Sequence, residues 1–222
     1  DFRRSRGLGD VYKRQEQNQQ NKILADLKKK SKSFTKQIRI KQLKAESIDK
    51  EIQKLIREAI VLSNKKEKSN TSDVFKLTPE AKLLADNFRS NKGKLPWPVS
   101  KGVIIQKYGM QAHPLVKTTK IKSSGITIAS VDNAKVRTVF EGQVMAILSF
   151  KNSNPTILVK HGNYITAYKN LSKVYVKKGQ YLDSKETIGE VFTNLETGRT
   201  ILQFSVFNAM KPENPTSWLY NK

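Results

Sequence analysis

The chain has 222 residues, with 42 Lys+Arg against 19 Asp+Glu, two His, no Cys and a formal net charge of +23. That length gives room for one or two domains, and the lack of Cys excludes a disulfide scaffold, a thiolate metal site and a Cys nucleophile. Two His exclude a His-rich catalytic metal site, and no apolar run approaches the roughly 18–20 residues of a membrane span.

The excess charge is spread along the chain: residues 1–15 carry +3, 16–62 carry +6, 63–98 carry +4 and 99–222 carry +10. A nucleic-acid footprint would be a clustered face with interleaved aromatics, so nucleic acid is not an expected partner. A lysine-rich solvated surface, or one drawn to an anionic polymer such as a cell-wall glycan, fits the pattern better.

Asp1–Gln15 has neither periodicity nor a link to the residues after it. It resembles a translated adapter, and the fold is read without it. On that reading the natural chain continues upstream and its targeting signal has been lost. From Glu16 to Leu62 there is no Pro and no Gly, and a heptad repeat is present. Position a holds Leu24, Ser31, Ile38, Ala45, Ile52 and Ala59; position d holds Leu27, Phe34, Lys41, Ile48, Leu55 and Leu62. This pattern predicts a coiled-coil helix over 16–62, roughly 70 Å long at about 1.5 Å per residue. Residues 63–76 are polar and read as a hinge.

A short docking or regulatory helix comes next, within 77–93. Thr78 is its N-cap, Pro79 its first residue and Glu80 an acid in the first turn, where the helix dipole favours one. Ala81, Leu84, Ala85 and Phe88 make one apolar stripe, suited to docking on the rod or on the domain after it, and Asn91-Lys92-Gly93 ends the helix.

From residue 94 the period changes to two. Val103–Tyr108, Ile126–Ser130, Gln143–Leu148, Thr156–His161, Tyr164–Tyr168 and Thr200–Phe207 are short runs rich in β-branched and aromatic residues, separated by Gly-containing turns. They predict a compact antiparallel or barrel-like β domain over 94–222. Alternation turns Ile126, Ile128, Leu202, Phe204 and Val206 inward. Ser123, Gly125, Thr127, Ala129, Ile201, Gln203 and Ser205 then share the opposite side. None of the heptad residues is needed for this core, so a chain beginning at Leu95 is expected to fold alone.

The succession Leu95-Pro96-Trp97-Pro98-Val99, Tyr108-Gly109, His113-Pro114, Gly125-Ile126, Gly142-Gln143-Val144, His161-Gly162, Tyr168, Leu171-Ser172, Val176-Lys177-Lys178-Gly179-Gln180, Ile188-Gly189 and Asn214-Pro215…Trp218-Leu219 resembles the lysostaphin-type (LytM) zinc peptidases. The resemblance implies a mainly β, duplicated-hybrid-motif-like fold. With the upstream coiled coil, the whole is similar to murein hydrolase activators of the EnvC type, in a Bacteroidota-like version.

Active members of the family hold zinc through the His and Asp of H-x-G-x-D and the second His of a late H-x-H. Here those motifs read Ser123-Ser124-Gly125-Ile126-Thr127 and Ile201-Leu202-Gln203, and the additional catalytic His corresponds to Asn170. Ser, Thr and Gln are poor zinc ligands, and a catalytic zinc needs about three good ones. No catalytic residue, metal or cofactor is therefore expected. Ser123-Ser124 has no base placed by a known motif, and no two of the seven acids after residue 99 stand out as a glycosidase pair. His161 reads as a structural residue at a tight turn.

The resemblance implies a partner-binding groove at Ser123, Thr127, Asn170, Ile201 and Gln203. Its expected occupant is a cell-wall amidase in the periplasm or cell envelope. Peptidoglycan is a second candidate ligand, and a membrane division complex is a candidate partner of the coiled coil.

Overall fold

The structure is a computed structural model that describes residues 2–66, 75–113, 116, 119–149 and 153–221. Helix α1 (Phe2–Lys66) is unbroken. It begins inside the stretch set aside above, and no change of backbone conformation marks residue 15. Helix α2 (Pro79–Ser90) starts as its caps predict, with the Ala81 N–H donating to Thr78 Oγ1 at 3.3 Å.

The strands in chain order are β1 (Val103–Gln106), β2 (Gly109–Ala112), β3 (Lys120–Ser123), β4 (Ile126–Ser130), β5 (Lys135–Arg137), β6 (Gly142–Leu148) and β7 (Thr156–His161). After them come β8 (Tyr164–Lys169), β9 (Leu171–Val174), β10 (Tyr181–Leu182), β11 (Thr187–Val191), β12 (Thr193–Asn194), β13 (Arg199–Asn208) and β14 (Lys211–Glu213).

The chain divides into two compact units, Asp1–Ser47 with Ala112–Ile121, and Ile48–Gln111 with Lys122–Lys222. In the first, the heptad residues Leu24, Leu27 and Phe34 are more than half exposed, and the Val116 N–H donates to His113 Nδ1 at 3.2 Å.

The second unit is built on an antiparallel sheet in the order β1-β4-β13-β8-β7-β6-β10, with β12 and β14 also pairing with β13. A smaller sheet, β5-β11-β9, completes the main core. Ile126, Ile128, Leu202, Phe204 and Val206 are buried in that core with Val136, Leu171, Ile188 and Val191, as the alternation predicted. The opposite face is not left open. A second apolar cluster joins Ala146, Leu158, Ile165, Ala167 and Phe207 of the sheet to Ile52, Ile56 and Ile60 of α1 and to Phe75.

Two expectations about boundaries are corrected here. The last turns of α1 belong to the β unit, since Ile52, Ile56 and Ile60 are at most 2% exposed on its sheet. At roughly 1.5–3 kcal/mol for each buried side chain of this size, that contact is part of the domain's stability. Helix α2, read as a docking or regulatory helix outside a domain that begins at residue 94, also belongs to the core. The Phe88 ring stacks on His161 and Tyr164 at centroid distances of 4.8 and 4.9 Å and meets Trp218 at 4.8 Å.

Gly162 makes the seating of α2 possible: its φ is +71°, and a Cβ there would lie 2.4 Å from the Ala81 carbonyl oxygen. A boundary at Leu95 therefore cuts through the core. Of the segment read as a hinge, residues 67–74 lie outside the described residues. Its two ends are tied together: Ser63 Oγ donates to the Lys76 carbonyl at 3.0 Å, and the Lys76 N–H donates to Asn64 Oδ1 at 2.8 Å.

Candidate functional site

Register across the sheet assembles the site face row by row. Gln106 on β1 pairs with Thr127 on β4, Thr127 with Gln203 on β13, and Gln203 with Lys169 on β8. Two residues further along β4 and β13, Val103, Ala129 and Ile201 form a second row on the same face. An irregularity between Ile104 and Gln106 lets both Val103 and Gln106 face this side. The result is an apolar strip beside a strip of amides and hydroxyls.

In the other direction the next row is Ser205, Ala167 and Leu158. Ala167 and Leu158 are covered by α1, and Ser205 is 1% exposed. The inferred groove face is thus divided, half open and half roofed by helix.

The residues read from the sequence fare differently. Thr127 and Gln203 are cross-strand partners, with Ile201 in the adjoining row. Thr127 Oγ1 donates to Gln106 Oε1 at 3.3 Å. Ser123 stands apart from them and closes a local turn, its Oγ donating to the Gly125 carbonyl at 2.8 Å. Asn170 is a lock rather than an open contact: at φ +72° its Nδ2 donates to the Ile201 carbonyl at 2.6 Å, and its Oδ1 accepts from Asn154 Nδ2 at 2.6 Å. Gly125 is required by close packing, because a Cβ there would lie 2.2 Å from the Phe204 carbonyl oxygen.

Sequence reasoning missed the charged centre of the site. Asp49 of α1 holds Lys169 Nζ at 2.5 Å through Oδ1 and accepts from Ser124 Oγ at 2.6 Å through Oδ2. The Lys169 side chain is only 8% exposed. A signal for it existed: a lysine closing the buried strand Tyr164–Lys169 demands an acid, since an unpaired buried ammonium is costly. The acid comes from a helix 120 residues away in sequence, and no local pattern names it.

His161 is structural, as read. It is fully buried, with Nδ1 2.6 Å from the Glu141 carbonyl and Nε2 2.9 Å from Thr166 Oγ1. The carbonyl can only accept, so Nδ1 carries the proton and Nε2 accepts from Thr166. Burial, only partly opposed by the Glu141 bond, lowers its pKa to about 4.

The residues present do not fit a zinc ion. Ser123, Thr127 and Gln203 offer neutral oxygens, and two of the three are already hydrogen-bonded. The row's charged member is an ammonium, and the Asp49 carboxylate beside it is engaged through both oxygens. Among the described residues no three His, Asp or Glu side chains gather closely enough to hold a metal.

Comparison with known proteins gives a family match over part of the chain. The model of Peptidase family M23 matches residues 121–215. Among solved structures, the chain is similar to the SpoIIQ-SpoIIIAH pore forming complex, with TM-score 0.49 and 19% identity over 58% of this chain and 92% of that one. It is also similar to Helicobacter pylori Csd3, with TM-score 0.47 and 20% identity over 58% of this chain and 35% of that one. A zinc containing peptidase from Vibrio cholerae gives TM-score 0.47 and 23% identity over 56% and 40%. The chain spans well under half the length of the last two. No curated protein matches it. The family match lies within the mainly β C-terminal domain, over a span that includes Ser123, Thr127, Asn170, Ile201 and Gln203.

Proposed function

We propose that this protein is a non-catalytic activator of peptidoglycan N-acetylmuramoyl-L-alanine amidases, of the EnvC type, acting in cell separation and wall remodelling in the periplasm or cell envelope. One observation carries the reading. Where a peptidase of this type would hold metal ligands, the face presents an apolar row, Val103, Ala129 and Ile201, beside an uncharged polar row, Gln106, Thr127 and Gln203. Such a strip suits docking of a helix or loop, with apolar anchoring on one side and hydrogen bonding on the other. The Asp49 bonds to Lys169 and Ser124 tie the last turns of α1 to the rim of that strip.

Amidase stimulation measured beside thermal melting tests this. Ile201→Glu places a charge in the apolar row, and Gln203→Trp adds bulk to the polar row; both should abolish stimulation while the domain stays folded. Leu202→Ala, in the core, should instead lower stability by about 2–5 kcal/mol. Groove variants that stay folded and still stimulate fully would refute the proposal. The charge of +10 spread over residues 99–222 favours a second reading, direct binding to peptidoglycan. Retention on purified sacculi without amidase separates the two.

A further inference from the structure

The stretch 16–47 of α1 carries an apolar seam from Leu24 onward, flanked there by lysines. Leu24, Leu27 and Phe34 are 53, 58 and 54% exposed, and Ile38 and Ala45 continue the seam. This stretch holds nine Lys or Arg against three acids, whereas residues 48–62 of the same helix hold three of each. The contrast follows the packing: the balanced segment is the one seated on the sheet, and the basic one leaves Leu24, Leu27 and Phe34 in solvent, with Ile38 and Ala45 partly covered.

Heptad geometry says what kind of helix can cover the seam. Lys28 and Lys30 fall at the flanking e and g positions, and Lys41 falls in the seam at d. In a parallel pair of two copies Lys41 would face Lys41, and two rods each carrying an excess of six positive charges would repel. The seam thus disfavours its own kind. It is also too narrow for a lipid surface. The a and d positions, broken by Ser31 and Lys41, make a coiled-coil stripe. Ile23, Ile40 and Leu43 are exposed as well, but at g, c and f they are scattered round the helix and do not widen the stripe into the single broad face that interfacial helices bury.

We propose that residues 16–47 form a coiled coil with an acidic partner helix, one with aliphatic residues at a and d and Glu beside its seam, and not with a second copy of this chain. This inference does not depend on what the groove binds.

The test uses the full chain and two designed, fluorescently labelled helices of matching length. Both carry Ile at a and Leu at d; one has Glu and the other Lys at e and g. The chain alone should sediment as a monomer. It should bind the Glu helix, and binding should weaken at least about tenfold from about 0.1 M to about 1 M NaCl, as the Debye length falls from roughly 10 to 3 Å. The Lys helix should not bind. Leu27→Lys with Phe34→Lys should abolish binding without changing the melting of the β unit, because both side chains are exposed. Lys28→Glu, Lys30→Glu and Lys41→Glu together should reverse the preference.

Equal affinity for the two helices, a homodimer that Leu27→Lys dissociates, or no binding to either helix would overturn the proposal. So would seam-dependent binding to vesicles of phosphatidylglycerol and phosphatidylcholine in preference to the Glu helix.

Discussion

Asp49 shows how much one side chain can decide. Both of its carboxylate oxygens bind groups of the sheet, Lys169 and Ser124, and the Lys169 ammonium is nearly closed off from water. Asp49→Ala should therefore cost about 3 kcal/mol, mostly as the penalty of an uncompensated buried charge. Asp49→Ala with Lys169→Met should cost less than the sum of the singles. Urea unfolding of the four-member cycle measures the coupling, and a coupling near zero would mean the pair is screened by solvent. His161 sets a pH window instead. Its pKa is about 4 folded against 6.5 in the unfolded chain. The unfolded state thus binds the extra proton first as pH falls. Stability should be full above about pH 6.5, decline by about 3 kcal/mol toward pH 4 and level off below. His161→Gln should flatten that segment of the stability–pH curve. Glu190 acts lower on the scale: hydrogen bonds from Lys135, Tyr175 and Lys173 hold its carboxyl at about 2, so its contribution is present above about pH 4.5 and lost as pH falls toward 2.

Among the elements, the two helices next to the sheets are the informative ones. Removing α2 strips Phe88 from a nest of Phe140, His161, Tyr164 and Trp218, and loss of one such ring costs about 3–5 kcal/mol. Against a typical total of about 5–15 kcal/mol, a chain beginning at Leu95 should be molten or insoluble. One beginning at Ile48 should melt cooperatively, since it keeps α2 and the helical roof of Ile52, Ile56 and Ile60. Circular dichroism melts of the two truncations decide this; a sharp transition for the Leu95 form would show that the sheets alone suffice. The caps of α2 were legible beforehand because Thr78, Pro79 and Glu80 act within one turn. Its seat was not, because the nest is assembled from β-domain residues 52 to 130 positions further along the chain.

For the molecule as a whole, the chemistry of Ser123, Thr127 and Gln203 makes a direct prediction. Dialysed protein should contain no stoichiometric zinc by elemental analysis, and added zinc should leave the melting temperature unchanged, since selective binding to the folded state would raise it. Near-equimolar zinc would contradict the reading of Ser123, Thr127 and Gln203 as non-ligands. Those identities were in the sequence, as were the six main strands, the inward set Ile126, Ile128, Leu202, Phe204 and Val206, and the caps of α2. All are local: periodicity, turn residues and caps act over a few positions, so a linear reading captures them. Tertiary structure alone decided that half of the site face is roofed by α1, that Asp49 neutralises Lys169, that Asn170 is locked onto Ile201, and that both helices complete the domain core. Each of these joins residues that only register and packing bring together; burial makes the contact favourable, while the local sequence leaves no trace of the partner.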